Sequence, residues 1–279
     1  MVNVTKMHAL GNNYIYVSEF EQPLDERELP RLATAVSDVR RGIGSDGLIW
    51  IGPSDTADLR MRIFNADGSE AETCGNGLRC VAKFAFDRGF VDRRRFTIET
   101  RAGIVTAEVH LDGGQVHQVT VDMGSARFGT GAVPYRGPER GDTVSVAAAG
   151  ETFHGVLVSM GNPHFVCFVD QVDAIPLAQV GPEIERHPHF PERINVEFVA
   201  PRGRGELDFR VWERGSGITY ACGSGACASV AAGIRLGLLD PSVTVHLQGG
   251  DLRVEVQDGR VWMTGEAVEV MTGQFHWPR

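Results

Sequence analysis

Alternation of apolar and polar residues with a period of two dominates the chain, which is typical of β-strands with one buried face. Turns rich in Gly and Asp separate the alternating runs. The stretch GPERGDTVSVAAAGE has the composition of a turn and a hairpin. Strands are predicted at YIYVSEF, LRMRIF, FTIETRAGIVTAEVHL, VHQVTVDM, TFHGVLVSM, ELDFRVW, VTVHLQGG, LRVEVQ and RVWMTGEAVEVM. The chain is therefore predicted to be rich in sheet.

Three stretches have the apolar spacing of an α-helix. The two clearest, GLRCVAKFAFDRGF and GACASVAAGIRLGLL, each have a Gly near the end, which favours a helix C-terminus there. The third is DERELPRLATAVSDVRR, in which Pro30 must lie at or near the start of the helix or break it.

The two clearest helices follow matching cysteine motifs. A shift of 148 positions places DLRMRIFNADGSEAETCGNG over ELDFRVWERGSGITYACGSG, so that Arg62 aligns with Arg210 and Cys74 with Cys222. A shift of 150 positions places LGNNYIYVS over MGNPHFVCF. Because both coincidences occur in the same order, we predict an internal duplication of one α/β unit.

Composition indicates a globular protein with a sizeable core. The chain has 279 residues, 42% of them hydrophobic, and a formal net charge of −9 at pH 7. This acidic balance argues against a nucleic-acid partner, because charge-driven binding of phosphate backbones needs a basic surface. No run reaches the roughly 18 apolar residues of a membrane span, and the first residues lack a signal-peptide core. We therefore expect a cytoplasmic protein with no membrane partner.

Five cysteines are too few and too dispersed for a disulfide-stapled domain, so reduced thiols are expected. Their spacing also disfavours zinc, and no metal is expected. Cys80, Cys167 and Cys227 lie inside predicted elements and are interpreted as small buried residues. Cys74 and Cys222 instead stand at predicted helix starts, where the helix dipole lowers a thiol pKa. The glycines beside them let an anion approach free backbone N–H groups.

Two glycine-rich stretches match a dinucleotide-binding pattern without its structural context. GIGSDG follows a basic segment and precedes the strand-like LIWIG, whereas the nucleotide motif follows a strand and opens a helix. GSGACA does open a helix, but too little chain follows it to complete a doubly wound sheet. We therefore do not expect a Rossmann domain.

One reactive cysteine in each copy of a duplicated unit suits a reaction that needs two acid–base groups. A thiolate can remove a proton from one face of a carbon while a thiol protonates the other face, which inverts the stereocentre. Two helix N-termini would bind the substrate α-carboxylate and stabilise the charge that develops there. Pyridoxal phosphate is not required, since Lys6 and Lys83 are the only lysines and neither has a cofactor-like context.

A set of motifs then identifies a family. The stretches KMHALGNNYIYV, RIFNADGSEAETCGNGLRC, VSMGNPHFV, PERINVEFV, RVWERGSGITYACGSGACA and MTGEAVEV closely resemble diaminopimelate epimerases, almost end to end and in the family's order. That resemblance implies an α/β (α+β) fold of two pseudo-symmetric repeats, each a curved, mainly antiparallel sheet wrapped around a central helix. The expected domains are residues 1–123 plus 266–279, and residues 124–265.

The resemblance also implies the function and its residues. The expected reaction is cofactor-independent epimerisation of LL- to meso-2,6-diaminopimelate, in lysine and peptidoglycan-precursor synthesis, by a homodimer whose Cys74 and Cys222 exchange the roles of base and acid. His164 is expected near the reacting thiols, where it could orient or tune one of them. The resemblance implies that substrate is bound by the side chains of Asn12, Asn65, Asn162, Asn195, Glu213 and Arg214, and by backbone N–H groups of Gly75, Asn76, Gly223 and Ser224.

This chain departs from the family pattern at two places. It has Asn13-Tyr14 where many relatives carry Asp-Phe, and Gly47 where some have a glutamine that contacts substrate. The second departure puts one substrate contact in doubt.

Two other functions stay open. A proline racemase or hydroxyproline epimerase would use the same thiol pair, but an imino-acid substrate has no distal polar end for Glu213 and Arg214 to bind. A thiol redox or metal-binding module would need Cys74 and Cys222 to bridge or to hold a metal.

Overall fold

The computed structural model describes residues 1–71 and 74–277. Its strands are β1 (Val2–Ala9), β2 (Asn12–Ser18), β3 (Gly47–Gly52), β4 (Leu59–Asn65), β5 (Glu70–Ala71), β6 (Arg95–Thr100), β7 (Gly103–Asp112), β8 (Gln115–Asp122), β9 (Arg127–Phe128), β10 (Glu139–Arg140), β11 (Thr143–Ala148), β12 (Glu151–Ser159), β13 (Pro163–Phe168), β14 (Asn195–Pro201), β15 (Glu206–Glu213), β16 (Gly217–Ile218), β17 (Ser242–Leu247), β18 (Gly250–Gln257), β19 (Arg260–Glu266) and β20 (Val268–Phe275). Its α-helices are α1 (Leu29–Ser37), α2 (Gly75–Asp87), α3 (Leu177–Glu185) and α4 (Gly223–Arg235).

The chain divides into two compact units. The first comprises residues 1–122 and 264–279, and the second comprises residues 123–263. The last two residues, 278 and 279, lie outside the described part. The boundary at residue 263 falls within β19, so the chain returns to the first unit inside a strand.

The first unit is a mixed sheet built mainly from antiparallel pairs. Strand β1 pairs antiparallel with β2 and β20, and β3 pairs antiparallel with β4. Strands β2 and β3 are parallel, with α1 between them in the chain. Strand β4 then pairs with β5 antiparallel and with β6 parallel, and β6, β7 and β8 form a meander. Helix α2 packs against β8, β1, β7 and β2 of this sheet.

The second unit repeats this topology. Strands β12 and β13 are antiparallel, β13 and β14 are parallel with α3 between them in the chain, and β14 and β15 are antiparallel. Strand β15 pairs with β16 antiparallel and with β17 parallel, and β17 pairs antiparallel with β18. Helix α4 packs against β18, β13, β12 and β14. The predicted α/β (α+β) fold of two repeats, each a sheet around one helix, is confirmed.

The two central helices have matching lengths and ends. Each has 13 residues, and each begins directly after its cysteine. The residue after each cap at the C-terminal end is a glycine in the left-handed region, Gly89 (φ 71°) and Gly237 (φ 74°). Such a glycine satisfies the last helical carbonyls without a Cβ clash, which ends the helix. The predicted helix starts and the glycines that end them are confirmed.

Helix α1 is shorter than the predicted stretch, and helix α3 was not predicted. Pro30 lies in the first turn of α1, where its missing N–H costs no hydrogen bond. Gly181 and Pro182 obscure the helical pattern of α3, although Gly181 is required because an added Cβ would lie 2.6 Å from the Trp212 ring. The predicted hairpin is confirmed as the β10–β11–β12 ladder.

Two of the predicted strands are each divided into two strands in the structure. A turn at Arg101 and Ala102 separates β6 from β7, and Ala267 separates β19 from β20. Among residues 1–71 and 74–277, no helix combines the length and apolar character needed to cross a membrane.

Candidate active site

Cys74 caps helix α2 with its own sulfur. Its backbone is extended (φ −149°, ψ 111°), and the Gly77 N–H donates to Cys74 Sγ at 3.4 Å. The first N–H groups of a helix have no partner within it and carry positive partial charge, which favours an anion at this point. Cys74 is partly exposed, whereas the other four cysteines are buried. Its sulfur is therefore both accessible and placed against a positive helix end.

The turn between β1 and β2 brings further polar groups to Cys74. Sγ of Cys74 lies 3.5 Å from Oδ1 of Asn12. Asp46 orients this asparagine, because its Oδ2 accepts from Asn12 Nδ2 at 2.9 Å and from the Asn13 N–H at 2.8 Å. Tyr14 hydrogen bonds to the side chains of Asn12 and Cys74. Burial, followed by the charges of Cys74 and Asp46, raises the pKa of Tyr14 above its usual range, so its hydroxyl remains a donor.

Asn65 ends strand β4 of the same unit. Its side chain donates to Ser69 Oγ at 3.0 Å, and its N–H donates to the Ser69 carbonyl at 2.8 Å. In the β3–β4 ladder Asn65 lies opposite Gly47. These contacts fix Asn65 in the turn that precedes the cysteine segment.

A fully buried cation lies one turn into α2. Arg79 has no exposed surface; its Nη2 donates to Asn76 Oδ1 at 2.9 Å and its Nε donates to the Glu266 carbonyl at 3.2 Å. The side chain of Asn76 is thereby fixed, while the N–H groups of Gly75 and Asn76 stand at the helix start. A buried guanidinium adds positive charge to that of the helix end.

Cys222 occupies the matching position at the start of α4 but is buried. Its backbone is extended (φ −117°, ψ 100°) and 5% of its surface is exposed. Burial, then the nearby charges of Glu213 and Glu197, raises the pKa of the Cys222 thiol well above its usual range, against hydrogen bonds from Gly225 N–H and Ser224. In this environment Cys222 is a thiol and a potential proton donor.

Glu213 lies beside Cys222 at the end of β15. Its carboxylate accepts a hydrogen bond from the Thr219 hydroxyl and contacts the Cys222 thiol. Burial raises the pKa of Glu213, although the bond from Thr219 and the contact with Cys222 act in the opposite direction. A carboxyl group so placed can exchange a proton with the thiol.

A chain of hydrogen bonds reaches Cys222 from the interior of the second unit. Nε2 of His164 lies 3.0 Å from Oδ1 of Asn162, and Nδ2 of Asn162 donates to Ser224 Oγ at 3.2 Å. Ser224 Oγ lies 3.7 Å from the Cys222 sulfur. Asn162, His164, Ser224 and Cys222 are thus brought into one connected group.

Asn195 supports the backbone on both sides of this group. Its Nδ2 donates to the Pro163 carbonyl at 2.8 Å, and its Oδ1 accepts from the Arg214 N–H at 2.9 Å. Nη1 of Arg214 donates to the Glu192 carbonyl at 3.2 Å. Asn195 therefore joins the strand that carries His164 to the turn that carries Arg214.

Glu197 was missed by the sequence analysis. Its side chain is fully buried on β14, and its Oε1 lies 2.7 Å from Nδ1 of His164. The available signal was a glutamate inside the otherwise apolar run VEFVA, two residues after Asn195 and hence on the same face of the strand. Tyr14, Asp46, Arg79 and Thr219 were also missed, because each is recognisable only from its contacts.

No group of three or more His, Cys, Asp or Glu side chains within residues 1–71 and 74–277 is arranged to hold a metal ion. The five cysteines are present as thiols.

Comparisons with known proteins agree with these motifs. A family model described as diaminopimelate epimerase matches residues 4–129 and 156–277. The diaminopimelate epimerase of Geobacillus thermodenitrificans is 51% identical over 278 residues, covering 98% of this chain and 96% of the relative. That of Bacillus subtilis is 51% identical over 276 residues, covering 97% of each chain.

Solved structures with lower identity share the fold. A phenazine biosynthesis protein of the PhzF family from Bacillus anthracis superposes with a TM-score of 0.74 at 20% identity, covering 99% of each chain. A probable proline racemase from Agrobacterium radiobacter gives a TM-score of 0.72 at 16% identity, covering 100% of this chain and 94% of that chain. At such identities the similarity establishes the fold alone.

Proposed function

The chain belongs to the diaminopimelate epimerase family, and from this premise we propose that it interconverts LL- and meso-2,6-diaminopimelate by two-base catalysis without a cofactor. The observation that carries the proposal is the matched position of Cys74 and Cys222, each at the N-terminus of a 13-residue helix and 148 positions apart. The reaction requires one α-carbon to be reached by both sulfurs, from opposite faces.

Each helix start is a candidate binding site for the α-carboxylate. Backbone N–H groups of Gly75 and Asn76 and of Gly223 and Ser224 stand at these ends, where partial positive charge favours an anion. As the α-proton leaves, negative charge develops on the α-carbon and its carboxylate, and fixed N–H groups stabilise it without reorganising. Buried Arg79 strengthens this effect on the Cys74 side.

Proton transfer balances between the two thiols. A thiolate takes the α-proton and becomes a thiol, while the opposite thiol gives its proton to the other face of the carbanion and becomes a thiolate. The raised pKa of Cys222 supports a thiol there in the free protein, and the configuration of the bound substrate decides which sulfur acts as the base. In the reverse direction the roles exchange.

The polar residues of each unit bind the rest of the substrate. Asn12 contacts the Cys74 sulfur and Asn162 donates to Ser224 next to Cys222, while Asn65 and Asn195 are held by hydrogen bonds at the ends of strands β4 and β14. Arg214 offers a cation for the distal carboxylate and Glu213 an anion for the distal ammonium group. Such paired groups discriminate against substrates that lack the distal end, because the groups would be left unpaired.

The remaining assignments follow from the family. We propose that residues 1–123 plus 266–279 and residues 124–265 are the two epimerase repeats, that the protein is a homodimer, and that it acts in the cytoplasm in lysine and peptidoglycan-precursor synthesis. Five dispersed cysteines, too few for a disulfide framework, support a reducing compartment.

The test is proton exchange at the substrate α-carbon. Reduced protein is incubated with LL-2,6-diaminopimelate in deuterated water; α-proton loss is followed by NMR and the meso product by chiral chromatography. We expect conversion with deuterium incorporation, and a loss of about 10²-fold or more in Cys74→Ala and Cys222→Ala.

Matched controls lie in the same two helices. Cys80→Ala and Cys227→Ala remove buried sulfurs one to two turns into α2 and α4, so they should leave the exchange rate nearly unchanged. L-Proline is tested in parallel, because proline racemases share the fold. Exchange with proline alone would replace the proposal with that activity, and absence of exchange with either substrate in folded, reduced protein would refute both.

A further inference from the structure

A carboxylate with an unsatisfied oxygen lies in the core behind the Cys222 site. Glu197 and His164 both have no exposed surface. Oε1 of Glu197 lies 2.7 Å from His164 Nδ1, while its Oε2 is buried without a hydrogen-bond partner. Burial of a carboxyl group carries a desolvation cost that an apolar residue would avoid, and one of the two oxygens of Glu197 has no hydrogen bond to offset it. Packing alone therefore gives no reason for a glutamate here.

The space for this carboxylate is created by a glycine of the catalytic helix. An ideal Cβ on Gly225 would lie 2.7 Å from Glu197 Oε1 and 3.2 Å from Cys222 Sγ. A side chain at residue 225 would thus collide with both the buried carboxyl group and the Cys222 sulfur. Burial, opposed by the neighbouring His164, raises the pKa of Glu197, so the carboxyl group and the imidazole are able to share a proton.

The hydrogen bonds beyond His164 have a defined direction. Asn162 uses Nδ2 to donate to Ser224 Oγ, so its Oδ1 faces His164 and the ring Nε2 must be the donor. Ser224 Oγ has then accepted a hydrogen bond, which leaves its hydrogen free to point at Cys222 Sγ, 3.7 Å away. The direction depends on a proton remaining on Nε2.

We propose that Glu197 is a positioning residue that, by sharing a proton with His164 Nδ1, keeps a proton on Nε2 and so makes Ser224 donate to the Cys222 sulfur. A donor at that sulfur stabilises the thiolate, which each turnover must form. The catalytic importance of this donor rests on the proposed epimerase function, whereas the direction of the hydrogen bonds from His164 to Cys222 does not.

The groups that face Cys222 within its unit are few. Glu213 comes from β15 and Glu197 from β14, with His164 behind it on β13; the first turn of α4 contributes Ser224 and the Gly225 N–H. Both carboxylates raise the pKa of the thiol, so Ser224 supplies an opposing effect. Whether the Ser224 hydroxyl points at the sulfur therefore affects how readily the Cys222 thiolate forms.

The direction of the chain is tested by ¹⁵N NMR of the histidine-labelled protein, with His164→Gln assigning the signals. We expect His164 Nε2 to carry a proton throughout the range from about pH 6 to pH 8. An unprotonated Nε2 in the unmodified protein would overturn the proposal, and this measurement does not use diaminopimelate.

The influence on catalysis is tested by a double-mutant cycle. Glu197→Leu, which can neither donate to nor accept from His164 Nδ1, should lower kcat about tenfold with KM changed by less than about twofold, and should have little further effect in a Ser224→Ala background, because both changes act through one hydrogen-bond chain. Equal losses in the two backgrounds would show a merely structural role and would contradict the proposal. Glu197→Asp should restore part of the rate.

Glu185 provides a matched control in the same unit. It is also a buried glutamate, with 2% of its surface exposed, and accepts from Trp212 Nε1 and the Gly215 N–H. Glu185→Gln keeps only one of these two acceptors, so it should cost some stability, but it lies outside the hydrogen-bond chain to Cys222. We therefore expect its kcat and its His164 signals to match those of the parent protein. A change in the His164 signals there would show that they do not report Glu197 specifically, which counts against the proposal.

Discussion

The ring of Tyr14 closes the space above Gly47. An ideal Cβ on Gly47 would lie 2.9 Å from Cε1 of Tyr14 and 2.1 Å from the carbonyl oxygen of Phe64. A glutamine side chain at this position would therefore have no room. The polar contacts beside Cys74 come instead from Tyr14 and from Asn12, which Asp46 orients.

Gly47→Ala should therefore be destabilising although it adds only one methyl group. We expect a loss of about 1–3 kcal/mol in the free energy of unfolding, because the clashing oxygen of Phe64 belongs to the backbone carbonyl and cannot move aside. Urea denaturation followed by circular dichroism measures it. Gly131→Ala is the control, since a Cβ there meets nothing within 4 Å; equal losses in the two variants would contradict the packing explanation.

Alkylation by iodoacetamide should distinguish the five thiols. Cys74 is partly exposed at a helix start, whereas burial raises the pKa of Cys80 to about 12 and that of Cys167 and Cys222 well above the usual range. Because the thiolate is the reactive form, Cys74 should be labelled first near neutral pH. Peptide mass spectrometry over time measures the order, and faster labelling of Cys222 would show that its thiol is not held in the environment described.

Stability should depend on pH through Glu213. Its pKa is raised in the folded protein, so between the unfolded and folded values the native state holds more protons, and the free energy of unfolding falls as pH rises. In Glu213→Gln residue 213 cannot titrate, so the free energy of unfolding does not fall with pH for this reason. The amide oxygen still accepts from Thr219. The variant should thus gain stability relative to the parent protein as pH increases from about 4 towards 7. Urea midpoints across that range measure the difference, and a constant difference would refute the raised pKa.

Arg79→Lys should weaken both the fold and the site. The guanidinium donates to Asn76 and to the Glu266 carbonyl from separate nitrogens, which a single ammonium cannot reproduce in the same geometry. We expect a loss of about 1–3 kcal/mol in the free energy of unfolding from a buried acceptor left unpaired. Exposed Arg94→Lys serves as the control and should change the urea midpoint little.

The sequence predicted those parts of the fold that depend on local pattern. Alternating strands, helices α2 and α4, and the cysteines that precede them follow from periodicity and from the glycines at the helix ends. Helix α3 was missed because Gly181 is needed to fit the Trp212 ring, a contact between elements distant in sequence. Strand β14 was missed because both of its faces are buried, so its residues do not alternate.

The candidate site was predictable only where a motif marks it. Cys74 and Cys222 are visible as a repeated motif, and the asparagines through the family resemblance, and their roles in substrate binding stay predictions. Glu197 and Arg79 are charged residues inside apolar runs, and only their partners, His164 and Asn76, reveal what they do. Periodicity reports which residues are buried, but not which neighbours they meet.

The caps of α2 and α4 imply a conflict between stability and activity. Serine, threonine, aspartate and asparagine are the preferred residues at a helix start because oxygen accepts a backbone N–H well, whereas sulfur is a weak acceptor. At residues 74 and 222 the side chain that would best begin the helix is therefore different from the one that can exchange a proton with carbon. On the proposed mechanism, a search for stabilising substitutions alone would favour serine or aspartate at both positions and would select an inactive protein.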